Sequence, residues 1–189
     1  MKNYLNFVMD GLMTDKTLIS VYNDPQDPEG FVIGRILDMD QSHYMLSELN
    51  PWGEPDGIRI HRMDQVIQIL HGEEYEMRLE LLMAFRNQQF KEFYEEGYVR
   101  HNALLLDVLE TCRKTGEIVT FIIGDDAFTG RISECNDLHT TLRMFDFFAS
   151  QTSDEVFSLR EIEIVQLRSP EEAMYSLLEQ NQPTVPHLV

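Results

Sequence analysis

Residues 34–46, GRILDMDQSHYML, return ninety-six positions later as residues 130–142, GRISECNDLHTTL. Both copies fit Gly-Arg-Ile-x-acidic-x-(Asp/Asn)-x-x-His-x-x-Leu without a gap. Agreement at seven fixed offsets is what a duplicated folding unit leaves behind. The chain must therefore build the same small structure twice.

What surrounds each copy says what that structure is. Residues 4–13 place Leu5, Val8, Met9 and Leu12 on one helical face, with Asn3 as a candidate N-cap. Residues 17–22, 31–38, 44–49, 58–60 and 66–70 read as short strands, separated by Pro/Gly-rich loops at 23–30 and 50–57. The second copy follows the same plan. A helix over 103–114, capped by Asn102 and closed by Gly116, precedes strands at 117–123, 127–135, 140–147, 155–159 and 162–167. Lys16-Thr17 matches Lys114-Thr115, and VIQI at 66–69 matches IVQL at 164–167, with small loop insertions explaining the drift in offset. Between the copies, residues 73–97 predict one long helix with a broad apolar face. That face needs cover from the barrels or from a second copy of the chain. Ser169, Pro170 and Glu172 predict the start of a last helix.

The fold class expected is α+β, mainly β: two tandem five-stranded small barrels, each preceded by a helix and joined by a long helix. The expected segments are 1–70 for the first helix and barrel, 71–99 for the linker helix, 100–168 for the second helix and barrel, and 169–189 for a final helix and tail. A barrel of this size buries only about 60% of its unfolded surface, so the two units are expected to lean on each other or on the helices between them.

A helix followed by five short strands, with Gly-x-(Ile/Leu)-x-x-x-Asp running through the second strand, resembles the Sm-like family of SH3-like small barrels. That resemblance implies the barrel fold, with an Asp-x-x-x-Asn pair and an Arg-Gly step that contact RNA in the family. Here Asp40 matches the aspartate, but Tyr44 stands at the asparagine; the second copy has Asn136 and Thr140. The region of the Arg-Gly step reads Ile58-Arg59-Ile60-His61 and Val156-Phe157-Ser158. The fold-defining parts are present and the RNA-contacting parts are not.

Charge points the same way. The 189 residues carry 33 acidic and 15 basic side chains, a formal charge of −18, which repels phosphate backbones and suits a basic protein partner. No apolar run reaches membrane-span length, and the N-terminal MKNYLNFVMDGLM, with Asp10 in its apolar part, is not a signal peptide. Cys112 and Cys135 form no CxxC pair and read as small buried hydrophobes in a reducing, cytoplasmic setting.

The candidate binding residues follow from the repeat: Arg35, Asp38, Asp40 and His43 in one copy, and Arg131, Glu134, Asn136 and His139 in the other. Carboxylates and imidazoles are ligands for a divalent metal, and equally they cap turns by accepting local N–H bonds. The arginines can pair with local carboxylates or anchor an acidic partner. Trp52, in its Pro/Gly loop, is either an exposed anchor or packing over a barrel end. No nucleophile elbow, phosphate loop, HExxH or paired CxxC is present, and the six histidines show no HxH or HxxxH spacing. The reading is a non-enzymatic interaction or scaffolding module with no cofactor and no resident metal, able to self-associate. Two alternatives stand beside it: an atypical RNA binder using Arg59, His61 and Arg62, and a small-ligand or metal-responsive regulator using Asp38, Asp40 and His43.

Overall fold

A computed structural model describes residues 4–24, 26–27, 29–95 and 97–181. The chain is α+β and mainly β, and divides into two compact units, Met1–Leu105 and Leu106–Val189.

In the first unit, helix α1 (Tyr4–Thr14) leads into strands β1 (Ile19–Tyr22), β2 (Val32–Met39), β3 (His43–Leu49) and β4 (Pro55–Arg62). A 3-10 turn at Met63–Gln65 leads to β5 (Gln68–His71), and helix α2 (Glu74–Arg86) follows. The strands are antiparallel in the order β5-β1-β2-β3-β4. α1 buries Met9 and Leu12 against Ile19, Val21, Ile36 and Leu46. α2 buries Leu79 and Met83 against Leu18, Ile33 and Leu49. The sheet thus packs its apolar side chains in two clusters, one under each helix.

The second unit repeats this: α3 (Leu104–Thr115, starting at the end of the first unit), β6 (Ile118–Ile123), β7 (Asp126–Cys135), β8 (His139–Phe145), β9 (Gln151–Ser158), β10 (Ile164–Leu167) and α4 (Pro170–Gln180). Its order is β10-β6-β7-β8-β9. Cys112 is buried, Cys135 is half-buried, and both are free thiols. In each unit the sheet is open, because the strands at the two ends of the order, β5 and β4 or β10 and β9, carry no ladder to each other. The sequence expectation of five-stranded barrels is therefore met in strand number but not in closure.

The repeated glycine lets the second strand lie close against the third. A Cβ on Gly34 would lie 2.2 Å from the Ser47 carbonyl oxygen, and one on Gly130 would lie 2.1 Å from that of Arg143. Only glycine lets the two backbones approach this closely. Just beyond it both copies carry the same bulge, between Ile36 and Asp38 and between Ile132 and Glu134.

Strand pairing corrects the sequence alignment of the copies. Ile19 faces Gly34 and Val119 faces Gly130, so the offset is 100 at the first strand and 96 at the glycine. Ser20 faces Leu70 and Thr120 faces Gln166, so the last strand also sits at 96, not at the 98 suggested by VIQI and IVQL. From Gly34 through α2 the copies align with no gap. The one length change is the β1–β2 loop, four residues shorter in the second unit. Lys16 is thereby equivalent to Gly116, and both take a left-handed backbone, φ 53 and φ 68.

The long linker helix is not formed. α2 stops at Arg86, where Asn87 turns left-handed (φ 52), and the Asn87 and Gln88 N–H groups close back on the Ala84 and Met83 carbonyls. Phe90 and Phe93 kept the helical period because they are covered, but an irregular segment covers them. Phe90 packs against the α2-side core, Phe93 is buried, and the Lys91 N–H bonds Ser47 Oγ. Gly97 serves an irregular turn and not a helix cap. α2 instead has its counterpart in α4. Both start with a capping box whose buried glutamate, Glu76 or Glu172, also accepts from a hydroxyl of the first strand, Ser20 or Thr120. The repeat is helix, five strands, helix.

Candidate functional site

The Asp/His turn between the second and third strands is an Asx turn in both copies. Asp40 Oδ1 accepts from the N–H groups of Ser42 (2.7 Å) and His43 (2.8 Å), and the Asp40 N–H donates to the His43 carbonyl (2.9 Å). Asn136 Oδ1 accepts from Leu138 and His139 (2.9 Å each), and its N–H donates to the His139 carbonyl (2.9 Å). In the first unit Asp40 Oδ2 also accepts from the Leu104 N–H (2.7 Å), so Asp40, and not Asn102, supplies the bond expected at the start of α3. Asp38 takes the Met39 N–H (2.7 Å) and lies 3.1 Å from Arg100 Nη1, while Arg100 Nη2 donates to the Met39 carbonyl (3.2 Å). Residues 38–40 thus hold the incoming 100–104 segment and, through the Asn6 amide on the Asp40 carbonyl, α1 as well.

Burial raises the Asp40 pKa, but the N–H bonds from Leu104, Ser42 and His43 outweigh it and leave the carboxyl below its ordinary 3.8. Burial depresses His43, against the pull of the Asp40 charge. Glu134, Asn136 and His139 are exposed. Among the described residues no three His, Cys, Asp or Glu side chains are grouped to hold a metal. Asp40→Ala is expected to cost about 1–2 kcal/mol, as the loss of an N-cap does. Because the folded pKa is lowered, the carboxylate's contribution is complete above the ordinary value and lost as pH falls through the folded one. Urea titrations of wild type and Asp40→Ala should therefore converge in strong acid and separate above pH 4.

The two arginines tie the second strand to the closing helix. Arg35 Nη2 reaches Glu80 (3.4 Å), and its guanidinium lies 4.4 Å from the Phe90 ring centre. Arg131 gives both Nε and Nη2 to Glu179.

Trp52 sits in a loop whose construction is also duplicated. Asn50 Oδ1 accepts from the Trp52 and Glu54 N–H groups, and Gly53 turns left-handed (φ 74). Asp146 Oδ1 accepts from Phe148 and Ser150, and Ala149 takes φ 59. Trp52 and Phe148 are equivalent and lie 63% and 62% exposed, with Phe147 beside the latter at 76%. The sequence placed Phe147 in a strand. The shared signal was Asn50/Asp146 with Gly53/Ala149 at the offset of 96. Met77, Leu81 and Phe85 on α2 are exposed as well.

One constellation escaped the sequence reading. Buried Glu48 accepts from Arg59 through Oε2 and lies 2.8 Å from His61 Nε2 through Oε1. His61 is fully buried, stacks on Tyr44 at 5.1 Å, and lies 3.1 Å from Asn23 Nδ2. Burial pushes the Tyr44 hydroxyl far above its ordinary value. The second unit builds the same strands with Met144 and Phe157 in place of Glu48 and His61, so the fold does not require the network. Its signal was the i, i+2 spacing of Arg59 and His61, which face Leu46 and Tyr44 and so share a sheet face with Glu48, a placement that only the strand pairing reveals.

Compared with protein-family models and with curated proteins, the chain matches none.

Proposed function

We propose that the chain is a non-enzymatic protein-interaction module, made of two tandem five-stranded units of the Sm-like kind, that engages a basic protein partner in the cytoplasm without a cofactor. The duplicated loop carries this reading: both units spend an Asx turn and a left-handed residue on holding an aromatic side chain out in solvent. Exposed aromatics on rigid loops are the usual anchors of protein interfaces. The helix followed by five strands and the close-packed glycine of the second strand support the Sm-like assignment. The −18 charge supports a basic partner, and the exposed α2 stripe supports self-association. No helix among the described residues is long and apolar enough to cross a membrane. Against the RNA alternative stands the use of its cations: Arg59 and His61 serve Glu48, and Arg62 pairs with Asp64 at 2.7 Å.

Affinity capture from native lysate tests this. Wild type is expected to retain a protein at near-equal amounts, insensitive to RNase. Trp52→Ala/Phe148→Ala should lose it with melting temperature unchanged within about 2 °C, as for surface substitutions. Captured RNA released by moderate salt, or a partner indifferent to the two aromatics, would sink the reading.

A further inference from the structure

We infer that the cleft of about 530 Å³ between β2 and α2 in the first unit binds a small ligand carrying one carboxylate on an apolar body. Its size is that of small-molecule sites. Met13, Leu37, Met83 and Phe90 give it apolar walls, and Lys16 and Arg35 give it two cations.

The second unit shows what is missing from this cleft. It has an equivalent cleft of about 370 Å³, lined by Gly116, Arg131 and Ser176 where the first has Lys16, Arg35 and Glu80. There the Arg131 fork is filled by the Glu179 carboxylate, through Nε and Nη2. At the offset of 96, Glu179 corresponds to Met83. Arg35 therefore has no carboxylate in that position. Its Nη2 reaches Glu80 only at 3.4 Å, and its Nε is buried with no hydrogen-bond partner. A buried donor left unpaired is costly, and a carboxylate arriving where Glu179 sits in the sister unit would satisfy it. Lys16 adds to the argument. It holds a left-handed φ of 53 where the second unit uses glycine, and its ammonium makes no ion pair among the described residues. Glu80 and Glu92 also line the cleft, which disfavours multiply charged anions and selects a monocarboxylate. The Gln88 and Gln89 amides offer further hydrogen bonds to the ligand body.

Phenylacetate, with 2-phenylethanol as its uncharged counterpart, is the probe. Nitrogen–proton correlation spectra are recorded on the full chain, including the Arg35 Nε–H resonance. A saturable shift of that resonance with phenylacetate is expected, and binding about tenfold weaker for the alcohol or for Arg35→Gln. Met83→Glu, which installs the sister unit's carboxylate, should abolish binding. If that variant fails to fold, Arg35→Gln decides alone, with its amide dispersion confirming the native state. Non-saturating shifts, equal binding of acid and alcohol, or unchanged binding by Arg35→Gln would each overturn the assignment.

Discussion

Gly34→Ala is expected to destabilise the first unit by about 3 kcal/mol or more, and Gly130→Ala to do the same in the second. The added methyl would meet a carbonyl oxygen at 2.2 Å or 2.1 Å, far inside contact distance. The obstacle is backbone, not the end of a flexible side chain. It belongs to the partner strand of the ladder in which Gly34 faces Glu48 and Gly130 faces Met144. Relief requires the two strands to separate just before the bulges of β2 and β7. Gly11→Ala is the matched control. Its Cβ meets nothing within 4 Å, it lies inside α1, and it should stabilise by roughly 0.5–1 kcal/mol. Urea unfolding measures all three. A Gly34→Ala variant within about 0.5 kcal/mol of wild type, the range of ordinary surface substitutions, would mean the strands are not this close.

Glu48→Met should cost the first unit about 3–5 kcal/mol, because it leaves buried His61 without the carboxylate that orients it. His61→Phe alone should also destabilise, stranding Glu48 with only Arg59. Together the changes reproduce the Met144 and Phe157 arrangement of the second unit. The double variant is expected to recover most of the loss, since a well-packed apolar pair replaces a buried hydrogen-bonded polar one at little cost. Arg59, a quarter exposed, can turn its head to water. The signature is a large favourable coupling energy in a double-mutant cycle. Additive losses would show that the network is held by something other than this pair.

The strands, most of the helices and the repeat were legible in the sequence, and the places where reading failed share a physical cause. The helix over 73–97 was overextended because Phe90 and Phe93 are covered in a 3.6-residue rhythm by a chain that is not helical. Burial sets periodicity, whatever backbone delivers it. The last strand was aligned two residues off because VIQI and IVQL are apolar runs, whereas the pairing partners Leu70 and Gln166 share no chemistry. Asp40 and Asn136 were readable as turn formers, since an Asx turn is local. The bond from Asp40 to Leu104 spans 64 residues and leaves no local trace. The Glu48, Arg59 and His61 network likewise exists only once β3 and β4 are paired. Trp52 stood out as the lone tryptophan, but its equivalence to Phe148 needed the ungapped offset.

That offset supports both the cleft and the network, because each compares a residue of one unit with its equivalent in the other. A slip of two residues in the last strand would place Asn181, not Glu179, opposite Met83, and the sister carboxylate would vanish from the comparison. Cross-strand proton–proton contacts test it directly. Ser20 should contact Leu70 across β1 and β5, and Thr120 should contact Gln166 across β6 and β10. Those two contacts together establish one unit built twice in one register. Contacts from Thr120 to Arg168, or from Ser20 to Gln68, would contradict it.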